Sequence, residues 1–242
     1  MGKYTENIPK GMLEFDGKSL IARQLEVLRL SDVEPVIIVT GYRKEMINFD
    51  GVKYYHNSDF AHTNMVETLF CARNEFTSDM LVMYSDILFT EYLLRGVIAT
   101  EGSIVVTVDA AWRKYWEMRY GTTEHDLETL TVKNSRITEL GRPAESSVGI
   151  DYRYIGMIKF SKRSWAPIMR LYDEKKLREE RWETSGRGFR QGYMTDLLNE
   201  LIGRGVDVVP CVTEKQWLEF DTERDYEVTL KNLKGGMLGF VF

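Results

Sequence analysis

The sequence predicts an α/β fold built on a mostly parallel sheet, and two observations carry that prediction. Short apolar runs that stop at a glycine or an aspartate, "EPVIIVTGY" and "DMLVMYSD", lack polar alternation and suit strands buried on both faces. Between such runs lie segments with apolar residues at helical spacing. Strand and helix therefore alternate from about residue 14 to 109, the pattern of right-handed βαβ units.

Taken in order, residues 12–28 read as a short strand, a turn at Asp16-Gly17 and a helix. Leu20, Ile21, Leu25, Leu28 and Leu30 fall on or near one face of that helix. "VIIVT" is a buried strand and "VKYYHN" a short one. "TNMVETLFCARNEF" reads as one helix opened by Asn64, with Glu67 three residues on in capping-box spacing. "DMLVMYSDILF" and "GSIVVTVD" are further strands. The pattern then changes: "LETLTVKNSRITELG" reads as a hairpin about Asn134-Ser135, followed by the strand "YRYIGMIKFS". Helices are expected around 164–181 and 193–204, then the strands "VDVVPCV" and "QWLEF" and the helix "ERDYEVTLKNL". The stretch 183–192, "ETSGRGFRQG", is the expected mobile loop. Residues 1–234 are expected to form a single domain followed by an apolar tail, 235–242.

Composition narrows the class. A chain of 242 residues, 43% hydrophobic and 29% charged, buries a full core as one domain. A net charge of −5 with no basic block argues against nucleic acid as a partner, and an anionic ligand would need help from a metal ion or a lysine. The two cysteines, Cys71 and Cys211, sit in apolar segments outside any metal-binding spacing and read as thiols in a reducing compartment. With no leader-like or membrane-length apolar run, the expectation is a cytoplasmic protein without a membrane partner.

In open α/β sheets, ligands bind beyond the carboxyl ends of the strands. Three such ends carry polar groups: "VTGY" (39–42), "YSD" (84–86) and "LEFDT" (218–222). Asp86 and Asp221 each follow an apolar strand directly. If they meet at the rim, two carboxylates make a hard oxygen site for Mg²⁺, completed by water and substrate phosphates. A turn role for Asp86 fits the same pattern, as does a helix-capping role for Asp221 or Thr222 with Asp225 in the first turn.

The stretches "IPKGMLEFDGKSLIARQLEVL…VIIVTGY", "YSDILF" and "WLEFDTERDYE" resemble, in order and spacing, the nucleotidyltransferases that join a phosphorylated small molecule to the α-phosphate of an NTP. The resemblance runs over almost the whole chain. It implies a Rossmann-like three-layer α/β/α sandwich of the nucleotide-diphospho-sugar transferase type, with a mixed, mostly parallel sheet and a partly antiparallel insertion. It implies catalytic roles for Lys10, Asp86 and Asp221, with Asp86 and Asp221 holding Mg²⁺ and Lys10 reaching the reacting phosphates. "NSDFAHTNMVETLFCA" is similar to the helix start of phosphocholine-type cytidylyltransferases. That places Thr63 and Asn64, with Gly41 and Ser85 at the strand ends, on the nucleotide side. "VDAAWRKYWEMRYG…LETLTV…ITELGRP…YRYIGMIKFS" resembles the phosphoglutamine cytidylyltransferase branch of capsule pathways. Arg119, Glu128, Arg142, Tyr154, Asp196, Trp217 and Glu219 would then border the acceptor pocket. Trp112, Tyr115, Trp116 and Tyr120 would form either a cage for a quaternary ammonium or, as their helical spacing favours, a packed face.

The resemblance therefore implies transfer of CMP from CTP to a phosphorylated small molecule, with pyrophosphate released, by a protein for which a homodimer is the candidate assembly. Two alternatives stand beside it: a sugar-1-phosphate enzyme using UTP or another NTP, and an inactive nucleotide-binding homologue. The second arises because family members begin with a strand and a G-x-G-x-R phosphate loop, expected just before Gly2 and not seen here. A start assigned at an internal methionine, a shortened chain or lost activity would each account for that. Without that strand, the edges beside "VIIVT" and "LVMYS" are expected to be open, or filled by the tail, and residues 1–242 alone to be poorly stable and inactive.

Overall fold

The computed structural model describes residues 1–234. The chain opens with the small hairpin β1 (Glu14–Phe15) and β2 (Lys18–Ser19), turned at Asp16 and Gly17 with φ of 50° and 81°. The Ser19 hydroxyl then caps α1 (Leu20–Leu30) by accepting from the Ala22 N–H at 3.2 Å. There follow β3 (Val36–Thr40), β4 (Val52–His56), α2 (Met65–Phe70), β5 (Met80–Met83) and β6 (Ile87–Phe89). After these come α3 (Glu91–Ala99), β7 (Ile104–Asp109) and α4 (Trp112–Tyr120). The antiparallel hairpin β8 (Glu128–Lys133) and β9 (Arg136–Pro143) turns at Asn134 and Ser135, both at positive φ, as the sequence predicts. The chain continues through β10 (Arg153–Phe160), α5 (Trp165–Arg178), α6 (Met194–Gly203), β11 (Val208–Thr213), β12 (Trp217–Glu219) and α7 (Glu223–Lys234).

The main sheet runs β11-β7-β10-β5. β11 is parallel to β7, and β10 is antiparallel to both of its neighbours, so β5, β7 and β11 share one direction against β10. All six residues of β7 are buried, and their alternation feeds two cores. Val105 packs with Leu94 and Val97 of α3 and with Trp112 and Trp116 of α4. Ile104, Val106 and Val108 pack with Ile168 and Leu171 of α5 and with Leu197 and Leu201 of α6. A sheet with a helical core on each face is the three-layer architecture.

β3 and β4 form a separate parallel pair. Among the described residues β3 pairs only with β4, and β5 only with β10. Val36 to Val39 and Met80 to Met83 stay half-buried despite their apolar character. These are the two strands expected to flank an additional one. The tail, 235–242, lies outside the described residues.

Two local expectations need correction. The helix read across "TNMVETLFCARNEF" ends at Phe70 and resumes only as a 3₁₀ turn at Arg73–Glu75. Asn64 caps it, but Glu67 does not close a capping box, because its carboxylate accepts the Tyr172 hydroxyl at 2.6 Å. Residues 183–192, expected to be mobile, are pinned: Ser185 donates through N and Oγ to Asp196, and the Trp182 indole donates to the Phe189 carbonyl at 2.7 Å.

Candidate active site

Asp86 lies just beyond β5 and Asp221 just beyond β12. β12 pairs antiparallel with β6, and the Phe220 N–H donates to the Asp86 carbonyl at 3.1 Å. That backbone bond sets the two carboxylates side by side. Lys10, in a 3₁₀ turn opened by Pro9, reaches both: its Nζ lies 2.6 Å from Asp86 Oδ2 and 2.5 Å from Asp221 Oδ1. Two carboxylates on one ammonium fall within the reach of a shared cation whose ligand oxygens sit about 2.0–2.1 Å away.

Behind this centre lies a buried arginine. The Arg119 side chain is wholly buried; it donates from Nη1 to Glu219 Oε2 at 2.6 Å and from Nη2 to Asp221 Oδ2 at 3.4 Å. Its Nε and Nη2 also fork onto Asp225 at 3.0 and 2.8 Å. Asp225, fully buried, additionally accepts the backbone N–H groups of Asp221 and Thr222 at 3.0 and 2.8 Å. In the sequence Asp225 reads as a first-turn helix residue. In the fold it holds both Arg119 and the backbone that carries Asp221.

The charges shape each other. Burial pushes the Asp221 carboxyl up, but Lys10 and then Arg119 outweigh it and hold the group below its ordinary value. Burial would lower the Lys10 ammonium, and Asp86 and Asp221 raise it instead. Glu219 goes the other way. Burial, reinforced by the negative charge of Asp221, pushes it up to about 8, beyond what Arg119 recovers.

The remaining predicted residues divide. Tyr154 is edge-on to Tyr84 at 6.0 Å between centroids, and its hydroxyl is buried without a hydrogen-bond partner. Glu128 opens β8, and burial raises its carboxyl while Arg153 pulls it back. Gly41 follows β3, where any Cβ would meet Phe60 at 2.8 Å. Ser85 precedes Asp86, with its Cβ 3.0 Å from where a side chain on Gly11 would begin. Thr63 and Asn64 are engaged locally: Thr63 Oγ1 accepts from Asn57 and donates to the Asp59 carbonyl, and Asn64 caps α2. Asp196 is a capping residue of α6 that also binds Ser185. Arg142 is half-exposed and pairs with Glu139 at 3.7 Å. Trp217 belongs to the core, its indole donating to the buried Asp109 at 2.9 Å. The aromatic cluster of α4 holds a cation of its own, since the Arg119 guanidinium sits 4.9–5.3 Å from the Tyr115, Trp116 and Tyr120 rings. A packed face, and not a ligand cage, is what the helical spacing produces.

A groove of about 370 Å³ opens onto Lys10 and Asp221, lined also by Met1, Thr5, Ile8, Pro9 and Tyr42. Its size suits a small-molecule ligand. Among the described residues no cluster of three or more histidine, cysteine, aspartate or glutamate side chains could hold a metal. A divalent ion would therefore draw two protein ligands, Asp86 and Asp221, and the rest from substrate and water. The donors fit such an ion: both are hard carboxylates, and Asp86 Oδ1 is buried with no partner.

Residues 1–181 match the MobA-like NTP transferase domain. The chain belongs to that family. It is 28% identical to a CTP:phosphoglutamine cytidylyltransferase of Campylobacter jejuni, over 94% of this chain and 93% of that protein. A choline-phosphate cytidylyltransferase of Streptococcus pneumoniae is 29% identical over 35% of the chain and 39% of that protein. Among solved structures, the CTP:phosphocholine cytidylyltransferase of Streptococcus pneumoniae superposes with a TM-score of 0.74 at 18% identity, covering 96% of this chain and 93% of that one. The inositol-1-phosphate CTP transferase of T. maritima gives 0.66 at 17%, covering 96% and 90%. The nucleotidyltransferase fold read from the sequence is thereby shown. No helix among the described residues is long and apolar enough to cross a membrane.

Proposed function

We propose that this nucleotidyltransferase moves CMP from CTP to a phosphorylated small-molecule acceptor and releases pyrophosphate. The observation that carries this reading is the Lys10 ammonium held between Asp86 and Asp221 at the end of the groove. The similarity to cytidylyltransferases favours CTP as the donor.

An oxygen of the acceptor phosphate attacks the α-phosphorus in line, the bond from that phosphorus to the bridging oxygen breaks, and pyrophosphate leaves with the electron pair. No covalent enzyme intermediate is needed, so the protein's work is positioning and charge neutralisation. Lys10 carries a full positive charge and reaches over the groove, so it neutralises the phosphate oxygens it meets. Asp86 and Asp221 would hold Mg²⁺, which when bound supplies positive charge to the reacting phosphates. Arg119 and Asp225 keep Asp221 in place and ionised.

The test is pyrophosphate release by the purified protein with CTP, Mg²⁺ and a panel of phosphorylated acceptors, against UTP, ATP and GTP. CTP-selective release that disappears in Asp86→Asn supports the reading. Release with UTP and a sugar-1-phosphate only would replace it.

A further inference from the structure

The groove that opens onto Lys10 and Asp221 is charged only in part, since Ile8, Pro9 and Tyr42 line it too. Tyr42, just beyond β3, is 41% exposed, and Phe60 beside it is 42% exposed. A single exposed apolar residue needs no explanation. Two adjoining aromatics, one of them lining a groove that also carries charged groups, mark a surface for a ligand.

The Tyr42 ring is held in place although so much of it is open. Its hydroxyl donates to the Glu6 carbonyl at 2.8 Å. Its ring meets the Phe60 ring edge-on, with 6.4 Å between centroids and 62° between planes. Phe60 in turn closes on the backbone of Gly41, where any Cβ would stand 2.8 Å from the Phe60 Cβ. A flat ring fixed before its ligand arrives lowers the ordering cost of binding. The charges nearby select the ligand. The Arg43 guanidinium lies 5.8 Å from the Tyr42 ring centroid, and Lys10 shares the groove. A quaternary ammonium brought to the same ring would meet like charge. A neutral flat heterocycle would not, and it stacks on an aromatic face. A nucleotide has the two parts this groove accommodates: anionic phosphates for Lys10 and a planar base for Tyr42.

We infer that Tyr42 is the platform on which the base of the nucleotide stacks. This rests on the transfer reading above, and it assigns the base subsite of the same groove. Every base offers a π-face, so Tyr42 supports affinity for the nucleotide and not the choice of CTP over UTP.

The test is equilibrium binding by calorimetry with CTP, UTP and inorganic tripolyphosphate as probes, in Mg²⁺ and without acceptor. Tyr42→Ala should weaken CTP and UTP alike by about tenfold, the scale on which base–aromatic stacking acts, and leave tripolyphosphate within about twofold. Tyr42→Leu, which keeps apolar bulk and loses the flat face, should do the same and serves where Tyr42→Ala does not fold. Tyr42→Phe keeps the ring and loses only the bond to Glu6, so it should bind both nucleotides within about twofold of the wild type. Unchanged nucleotide affinity in Tyr42→Ala and Tyr42→Leu would overturn the inference. So would an equal loss for tripolyphosphate, a loss in Tyr42→Phe as large as in Tyr42→Ala, or a loss confined to phosphocholine added as acceptor. No nucleotide binding by the wild type would overturn it as well. Failure of the transfer reading shows separately, as nucleotide binding without pyrophosphate release for every acceptor, because binding is read without turnover.

Discussion

Asp225 accepts the backbone N–H of Asp221 at 3.0 Å while its carboxylate forks onto Arg119. One buried carboxylate therefore fixes both the loop carrying a proposed metal ligand and the cation behind it. Asp225→Ala would leave Arg119 buried beside Glu219 and Asp221 with its principal partner gone. Breaking a buried pair in this way costs about 3–5 kcal/mol. Urea unfolding should show a loss of that order, and a loss below about 1 kcal/mol would show that the pair contributes little.

Glu219 makes stability depend on pH. Its carboxyl is raised from an ordinary value of 4.5 to about 8 in the fold, so between those limits the folded state holds a proton that the unfolded state has released. Stability from this group is present below pH 4.5 and falls as pH rises towards 8. Glu219→Gln removes the titration. Melting temperatures at pH 5 and pH 8 should show a smaller drop for the variant than for the wild type, and equal drops would place the pH dependence elsewhere.

Lys10 and a divalent ion draw on the same carboxylate oxygens. In Lys10→Met the two carboxylates lose the ammonium they share, Arg119 reaches only Asp221, and the metal-free protein should melt lower than the wild type. Added Mg²⁺ should then raise the melting temperature more in the variant, because no ammonium has to be displaced and binding to the folded state adds stability. Thermal scans with and without Mg²⁺ decide this. A shift equal to or smaller than that of the wild type would contradict it.

Much of this centre is legible in the sequence because its residues end strands. Asp86 and Asp221 each follow an apolar run, and the topology that pairs β12 with β6 closes the distance between them. Arg119 and Glu219 follow from the resemblance by position. Asp225 is not legible, since it looks like any acid in a first helical turn. What distinguishes it is burial without surface access, a property of the fold. Trp217 misleads for the opposite reason: its place two residues before Glu219 suggests a shared face, yet its indole is drawn to Asp109 and the core. Asp196 and Thr63 likewise have partners close in sequence, Tyr193 and Asp59, which a reading for ligand contacts passes over. The hairpin and the strand after it follow from the change of pattern beyond Asp109, while the antiparallel placing of β10 between β5 and β7 is seen only in the fold.

The central claim is that Asp86, Asp221 and Lys10 form one cytidylyl-transfer centre. Its most direct test is pyrophosphate release from CTP with a phosphorylated acceptor, comparing the wild-type protein with Asp86→Asn after both are shown to be folded by circular dichroism. The account predicts that Asp86→Asn lowers kcat by about a hundredfold or more, the scale on which loss of one charge-stabilising group acts, with melting temperature nearly unchanged. Turnover by Asp86→Asn close to that of the wild type would contradict it.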